Sequence, residues 1–582
     1  MKEDTRNFVM FAVLAALILI GWPIVSARFF PAANPPATRI VNGKTQALPN
    51  PAADPTADGP VATRDRGAVL RETPRVRIAT PRLAGSINLK GPRIDDLVLT
   101  QYKETVAKDS APIRLLSPAG APEAYFAQFG WRGDGLKLPD ANTVWKASAP
   151  VLSPGHPVAL TADNGAGLAF RIDLAVDDGF MVTVRQTVGN ASGATVPVAA
   201  YGLVSRTGVS KDATSRTIHT GPMSAHDGKA DYGTDFADVD KATQRFTTTG
   251  GWLGFTDKYW LTALVPDQGR GFDGEFRAGA GEGPTRAYQA DFTAAPQTLR
   301  PGQAVTQVSR LFAGAKETRL IDAYNDGDKG GGGIANFDRA IDWGWFRIVE
   351  KPIFYYLDWL FRHVGNYGIA IILLTCTIRL LMFPIAQRQF ASMASMRAIQ
   401  PKMKALQERH KDDKARQQQE VMALYKAEKV NPLAGCLPTF LQIPIFYALY
   451  KMLLVTIEMR HQPFALWIKD LSAPDPLTPV NLFGLLPFTP PGVLHLGLLA
   501  ILLGVTIWLQ MRMNPAAADP TQQQVMAFMP WIMMLFFAPL AAGLQLYYIA
   551  SNLLTLAQQR FLYSRHPQLK AAPASSVVVK GK

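Results

Sequence analysis

An apolar stretch at residues 367–389, YGIAIILLTCTIRLLMFPIAQRQ, carries an arginine within a segment long enough to cross a membrane. A helix needs about 20 apolar residues to span the hydrocarbon, and Arg379 would lie roughly two turns below the surface. An arginine at mid-membrane costs on the order of 2.5–3.5 kcal/mol, so such residues usually face a protein interior or a hydrated cavity. Arg379 could instead reach the headgroups along its own stem. Thr375, one turn earlier on the same face, favours a polar stripe.

The chain divides into a polar part and an apolar part. Its mean hydropathy of +0.03 is low for a protein with many membrane spans. That value averages the polar, turn-rich residues 31–335 with the long apolar runs of 364–562. Cys376 and Cys436 lie in apolar runs, and the eight histidines show no metal-binding spacing. We therefore expect no disulfide framework, no metal and no cofactor.

The pattern of the first 30 residues predicts a transmembrane anchor, and that of the residues after them predicts a flexible linker. Residues 8–27 are uncharged and long enough to span, although Val25-Ser26-Ala27 also resembles a signal-peptide cleavage site. Seven prolines lie between Pro31 and Pro60. Such a composition cannot bury enough apolar surface to fold, so we expect an extended or disordered linker over 31–70.

Residues 71–330 have the pattern of a large antiparallel β-sandwich. Phe170, Ile172, Leu174 and Val176 alternate with polar or small residues, and Asp177-Asp178-Gly179 then predicts a hairpin turn. Four tryptophans in this region could line a sugar cleft, but tryptophans more often belong to a core: Trp131, Trp145, Trp252 and Trp260. No carboxylate pair or nucleophile motif stands out here, so we expect no enzyme activity.

A run of four glycines at 330–333 predicts the end of this domain. Phe337, Ile341, Trp345 and Ile348 then fall at helical spacing, with interfacial aromatics after them. We expect an amphipathic helix over 335–362 that lies on the membrane, or else packs against the β-domain.

Hydropathy predicts five further spans, at 364–386, 433–457, 494–513, 526–541 and 543–562. Together with the N-terminal anchor they make six. The segment 387–430 holds ten Lys and Arg residues, and the tail 563–582 is also basic. Both segments are cytoplasmic by the positive-inside rule. Both termini would then be cytoplasmic and residues 31–335 would lie outside.

Residues 387–430 read as a helical hairpin broken at Lys411-Asp412-Asp413. Its methionines are either the seam of the hairpin or adaptable contacts for apolar clients. Its basic residues either set the topology or attract ribosomal RNA or anionic lipid. The candidate contact residues are Met393, Met396, Met403, Met422, Arg397, Lys402 and Lys404.

Several predicted spans carry polar side chains that need a partner or water in hydrocarbon. Hydrogen bonds between helices would explain most of them. They explain an arginine less well, because these spans contain no Asp or Glu to neutralise it. A shared hydrated cavity accounts for the whole set: Thr375, Arg379, Thr439, Gln442, Gln510, Tyr548, Asn552, Thr555 and Gln559.

The segments TCTIRLLMFPIAQRQ, MALYKAEKVNPLAGCLPTFLQIPIFYALY, PFALWIKDLSAPDP and GLQLYYIASNLLTLAQQ resemble the YidC membrane-protein insertase and chaperone family of Gram-negative bacteria. The resemblance covers most of 365–562 and is looser over 1–350. It implies an inner-membrane protein with a five-helix core enclosing a hydrophilic groove, plus a periplasmic β-supersandwich similar to sugar-mutarotase folds. The family's groove arginine falls on Arg379, and its client-contacting threonine and tyrosine fall on Thr375 and Tyr548.

The resemblance implies an insertase whose partners are nascent membrane proteins, the lipid bilayer, the Sec translocon and the ribosome, but not DNA. Two other functions remain open from the residues alone. A small-solute transporter could use an intramembrane arginine, although we find no internal repeat. A membrane-anchored carbohydrate-binding protein would leave the polar stripes unexplained.

Overall fold

The computed structural model describes residues 63–565 and two short strands before them. Gaps fall at 212–217, 280–284, 329–331, 345, 388–398, 400, 404, 407, 411–412, 429–436, 484, 487, 489–495 and 514–519. At 414, 437–441, 520–523 and 563–565 the backbone alone is described. The predicted anchor 1–30, most of the linker 31–70 and most of the basic tail lie outside the described residues.

Two compact units make up the chain, and the first, a β unit, runs to Asp342 and also includes residues 455–457. The strands of this β unit and the short hairpin before it are β1 Arg39–Val41, β2 Lys44–Gln46, β3 Arg75–Ala79, β4 Leu83–Asn88, β5 Arg93–Lys103, β6 Pro112–Leu116, β7 Tyr125–Arg132, β8 Lys146–Ala147, β9 Val151–Leu152, β10 Val158–Asp163, β11 Leu168–Val176, β12 Met181–Asn190, β13 Val196–Thr207, β14 Gly221–His226, β15 Lys229–Asp231, β16 Gln244–Thr249, β17 Trp252–Thr256, β18 Trp260–Val265, β19 Gly271–Ala278, β20 Ala287–Ala294, β21 Gln297–Leu299 and β22 Ala304–Ala315.

The β unit is a sandwich of two large sheets. The nine-stranded sheet has the order β15-β14-β17-β18-β22-β12-β11-β10-β8. The eleven-stranded sheet runs β16-β19-β20-β13-β7-β5-β4-β3-β9, with β21 on β13 and β6 on β5. Rings from the two sheets meet between them: Trp131 lies 5.0 Å from Phe170, and Tyr125 lies 6.5 Å from Phe255. The predicted sandwich is therefore confirmed.

The hairpin of β11 and β12 shows how the sequence builds these sheets. Side chains along β11 alternate between buried and exposed or half-buried positions, as the period-two pattern predicts. Asp177 closes the turn, since its Oδ1 accepts hydrogen bonds from the amides of Gly179 at 2.9 Å and Met181 at 3.0 Å.

The tryptophans of the β unit belong to its core. Trp131 and Trp145 are buried and stack on each other with ring centroids 6.1 Å apart. Trp252 is fully buried, while Trp260 is half-buried and packs against Tyr102. The core interpretation is thus the correct one for these side chains.

The glycine run does not end the β unit, which is a correction to the predicted boundary at 330. The chain returns to the core after it and places Phe337 at full burial. The Phe337 ring contacts Phe312 at 5.3 Å and Trp252 at 5.6 Å. Ile334 and Ala340 are buried in the same core. A glycine run marks a turn, and burial of the residues beyond it decides where the domain ends.

Ten helices are described along the chain. They are α1 Arg66–Arg71, α2 Phe236–Lys241, α3 Thr318–Asp326, α4 Arg347–Val364, α5 Tyr367–Leu381, α6 Lys414–Ala427, α7 Leu437–Val455, α8 Leu498–Met513, α9 Pro520–Phe537 and α10 Ala542–Arg565. Short 3-10 helices lie at Phe337–Ala340, Ile457–Met459 and Pro479–Asn481.

The amphipathic helix expected over 335–362 is two elements. Its first turn is the 3-10 helix Phe337–Ala340 in the core of the β unit, and α4 begins only at Arg347. Gly365, at φ 69°, ends α4, and the Asn366 side chain caps α5 by accepting from the Ile369 amide. The tight turn lays α4 against α5, where the Tyr356 and Thr377 hydroxyls lie 2.9 Å apart.

Five helices of the second unit, α5 and α7–α10, coincide with the five hydropathy peaks, with ends that differ by a few residues. Prolines explain two of the differences. Pro520 opens α9, a favoured first position for proline, and α9 ends at Phe537, two residues before Pro539. Within the described residues, no helix has both the length and the apolar composition needed to cross a membrane.

Candidate functional site

Arg379 lies near the end of α5 and is held by a hydroxyl of α10. Its Nε donates to Ser551 Oγ at 3.0 Å, and its Nη2 donates to the same oxygen. Ser551 is buried, whereas Arg379 is half-buried. In the described part of the chain no carboxylate forms an ion pair with Arg379. The guanidinium therefore keeps its charge beside a neutral partner and has further N–H groups to offer.

A second pair lies on the same helix, four residues before Ser551. Gln442 on α7 donates through Nε2 to the Tyr547 hydroxyl at 2.7 Å. Tyr547 is buried, and its neighbour Tyr548 packs edge-on against Phe446 at 5.2 Å and against Phe537 at 4.6 Å. Tyr548 thus belongs to an aromatic cluster contributed by α7, α9 and α10.

The adjacent face of α10, one residue around the helix, contacts α8. Asn552 Nδ2 donates to Thr506 Oγ1 at 3.0 Å, and both residues are buried. The Thr555 hydroxyl donates to the carbonyl of Ser551 at 2.8 Å, and Gln559 is buried one turn farther along. The Asn552–Thr506 contact is an interhelical hydrogen bond of the kind that holds a bundle together, whereas the Thr555 bond lies within α10.

Thr375 is buried on α5, one turn before Arg379. Its hydroxyl donates to the carbonyl of Ile371 at 2.6 Å, which satisfies it within its own helix. A hydroxyl bonded four residues back tends to bend a helix slightly. Thr375 therefore lies on the inner face of α5 without contacting Arg379's partner.

For two predicted site residues, the structure describes no contact with the site. Gln510 is half-buried on α8 and hydrogen-bonds to no residue in the described ranges. The side chain of Thr439 lies outside the described residues. On α8 the inward polar residue is Thr506 instead, one turn earlier.

The described part of the 387–430 segment pairs two helical pieces. Met403 is buried, and the Tyr425 hydroxyl donates to its sulfur at 3.2 Å. Lys402 forms an ion pair with Glu428 at 2.6 Å, while Met422 is exposed. Met403 thus lies in the seam of the hairpin, and Met422 is available for contact. The remaining candidates lie outside the described residues: Met393, Met396, Arg397 and Lys404.

Tyr547, Ser551 and Thr506 are not among the residues that the sequence predicts for the site. The expected stripe on α10 was 548, 552, 555 and 559, but α5 and α7 contact a face that lies one residue around the helix. That face comprises Tyr547, Ser551 and Gln558, whose Nε2 lies 3.5 Å from the Arg379 carbonyl. Tyr547, Ser551 and Gln558 also follow helical spacing of four and seven, so spacing alone fits this stripe as well as the expected one.

The arrangement can do binding chemistry rather than bond-breaking chemistry. A guanidinium beside hydroxyl and amide groups offers donors to a carboxylate or to peptide carbonyls. A group of three or more metal-ligating side chains does not occur among the residues that the structure describes.

Models of known protein families match both parts of the chain. Residues 75–356 match the model of the YidC periplasmic domain, and residues 359–569 match that of the 60Kd inner membrane protein. The second match contains Arg379, Ser551 and Tyr547.

Relatives match along nearly the whole chain. A membrane protein insertase YidC of Zymomonas mobilis is 52% identical over 569 residues, covering 97% of this chain and 96% of the relative. One from Methylorubrum extorquens is 43% identical with the same coverage. A solved structure of an active YidC insertase covers 84% of this chain and 92% of its own at 18% identity and a TM-score of 0.35, so the assignment rests on the sequences. The chain belongs to the YidC family of membrane protein insertases.

Proposed function

We propose that this chain moves nascent transmembrane segments from the cytoplasm into the inner membrane through a hydrophilic groove lined by Arg379. The relatives named as membrane protein insertases, which match over nearly their whole length, support the insertase activity. The observation that supports a role for Arg379 is its pairing with the Ser551 hydroxyl, since among the described residues it pairs with no carboxylate.

Taking a client's polar segment out of water costs free energy, and a charged side chain in the groove lowers that cost. A buried carboxylate would neutralise Arg379 and occupy its donors, whereas a hydroxyl leaves the charge available. A client's acidic or peptide groups could then bind the guanidinium while the adjoining apolar segment moves sideways into lipid. Burial of that segment provides the driving force, at roughly 25 cal/mol per Å².

The proposed topology has six spans, both termini in the cytoplasm and residues 31–335 in the periplasm. The spans are the anchor 1–30 and the five segments at 364–386, 433–457, 494–513, 526–541 and 543–562. The hairpin 387–430 would receive clients or ribosomes through Met422 and its basic residues, and α4 would lie at the membrane interface. The Sec translocon is a proposed partner for those clients that need it.

Insertion of a small single-span client into vesicles containing the reconstituted protein tests the groove. We expect Arg379→Ala to lower insertion by roughly 10-fold or more, because a hydrogen bond to a charged group contributes about 1.5–3 kcal/mol. Arg379→Lys should keep most of the activity, since it retains the charge. A photoreactive residue at Tyr548 or Thr375 should crosslink to the client span.

Arg512→Ala is the matched control. Arg512 lies on α8 with its guanidinium carbon 4.1 Å from the centre of the Trp508 ring. We expect wild-type insertion from this variant. If Arg379→Ala is as active as Arg512→Ala and the wild type on every client, Arg379 has no role in insertion. If no crosslinks form, these residues do not line a groove that clients enter. Uptake of a small solute that depends on Arg379 would favour a transporter instead.

A further inference from the structure

In the segment 478–488, between α7 and α8, the described residues (all but 484 and 487) have their polar groups inside and their apolar groups outside. We call it the apolar loop. Thr478 and Asn481 are buried, while Leu485 is 83% exposed. Exposed alongside it are Val480, Leu482, Phe483, Leu486 and Phe488. This is the reverse of the arrangement expected for a loop in water.

Internal hydrogen bonds make the apolar loop an ordered element. The Thr478 hydroxyl accepts from the Val480 amide at 3.2 Å, and the Thr478 carbonyl accepts from the Phe483 amide at 2.9 Å. The Asn481 carbonyl accepts from the Leu486 amide at 3.1 Å, and its side chain donates to the Phe488 carbonyl at 3.3 Å. Backbone groups satisfied internally are what a non-aqueous surrounding requires.

Two of the exposed apolar side chains lie on a strained backbone. Leu482 and Phe483 both have left-handed backbone conformations, at φ 52° and 58°. Residues with a Cβ rarely adopt this region, and they persist there when the surroundings enforce it. Leu466, earlier in the same connection, has φ 56° and is 89% exposed. The chain is strained at three positions that each present a large apolar side chain outward.

The connection that carries the apolar loop is tied to the starts of three core helices. Asp475 accepts from the Leu499 amide at the start of α8 and from the Trp467 indole, at 2.8 and 2.9 Å. The Ala473 carbonyl accepts from Ala542 at the start of α10, and Asn366 before α5 donates to the Phe464 carbonyl. The apolar loop therefore belongs to one end of the helical unit.

We propose that the apolar loop is seated in the bilayer, at the boundary between headgroups and acyl chains of the periplasmic leaflet. This inference rests on the proposed topology, which places the starts of α5, α8 and α10 on that side. Lipid is the occupant that fits, because the chain has no charged residue from Pro476 to Met511, a stretch that includes most of α8. Amphipathic elements bury their apolar face to about 5–10 Å at this boundary. The apolar loop would fix the depth at which these three helices begin.

Quenching of a fluorophore on the full chain in pure lipid vesicles tests the proposal. Both native cysteines are replaced, a single Leu485→Cys is labelled with an environment-sensitive dye, and Lys469→Cys is the matched control on the same connection. Lys469 is exposed and charged. We expect nitroxide-labelled lipid to quench the dye at 485 and aqueous iodide to be at least about 3-fold less effective there than at 469, as for an element buried at the interface.

Equal iodide quenching at 485 and 469 would overturn the proposal. Shielding at 485 from both quenchers would also overturn it, since it would place the apolar loop in a contact with a second copy of the chain. The readout does not depend on insertion. If lipid quenches the dye at 485 while Arg379→Ala inserts normally, the proposed groove is wrong and the proposed position of the apolar loop is supported. If lipid does not quench at 485 while Arg379→Ala loses insertion, only the proposal for the apolar loop is wrong.

Discussion

Two charged side chains, one in each unit of this chain, have different kinds of partner. In the β unit, charges are buried with opposite charges: Asp291 lies 3.1 Å from Arg132 and 3.7 Å from Arg277. In the helical unit, the contacts around Arg379 are with hydroxyl and amide groups. The large exposed apolar side chains are also distributed unequally between the two units. Among those described, Val106, Val144 and Val209 belong to the β unit and all the others to the helical unit.

The difference teaches that one chain is built for two solvents. Water screens and hydrates the surface of the β unit, so its apolar groups turn inward and its charges can pair. A surface rich in large apolar groups marks contact with lipid or protein. The mean hydropathy of +0.03 hides this division because it averages the two parts.

The largest effect should come from breaking a buried ion pair in the β unit. Burial raises the pKa of the Asp291 carboxyl, and Arg132 and Arg277 oppose that rise. Asp291→Ala should destabilise the β unit by about 3–5 kcal/mol, because it leaves buried arginine charge uncompensated. Chemical unfolding of the full chain, followed by the near-UV signal of the tryptophans, measures the loss.

Asp173→Ala is the control, since Asp173 pairs with Arg171 at 2.6 Å on the exposed face of the same domain. A surface pair contributes about 0–1 kcal/mol, so this variant should unfold near the wild type. Equal losses in the two variants would mean that burial does not distinguish the ion pairs of the β unit.

A comparable loss should follow a change beyond the glycine run. Phe337→Ala removes a fully buried ring and should cost about 3–5 kcal/mol, because it opens a cavity among Phe312, Trp252 and Tyr324. Ile348→Ala, at the start of α4, removes an exposed side chain and should cost under about 0.5 kcal/mol. Thermal unfolding of the two variants decides the boundary: if both unfold like the wild type, the β unit ends at 330.

That boundary shows what local pattern can and cannot predict. Alternation along β11 and the turn at Asp177 are local features, and they predicted the hairpin correctly. The burial of Phe337 depends on Trp252 and Phe312, which lie far away in sequence. A glycine run cannot indicate whether the following residues return to a core.

In the candidate site, too, one part could be predicted from local sequence and another part depends on how the chain packs. The cost of a charge in an apolar helix was enough to select Arg379 before any contact was known. Its partner Ser551 could not be selected, because a rotation of about 100° per residue separates adjacent stripes on one helix. Which stripe of α10 meets α5 depends on how the helices pack, and hydropathy does not contain that information.

The smallest effect should come from a neutral pair in the helical unit, and it sharpens the contrast with Asp291. Asn552→Leu removes the hydrogen bond to Thr506 and should cost only about 0.6 kcal/mol, the average for such bonds between membrane helices. The double variant Asn552→Leu with Thr506→Val should lose no more than the single one, because no buried polar partner is left behind. Reversible unfolding in mixed micelles measures both. A loss near 3 kcal/mol would mean that neutral polar pairs of the helical unit are as costly to break as buried ion pairs of the β unit, and the two units would then differ in composition but not in energetics.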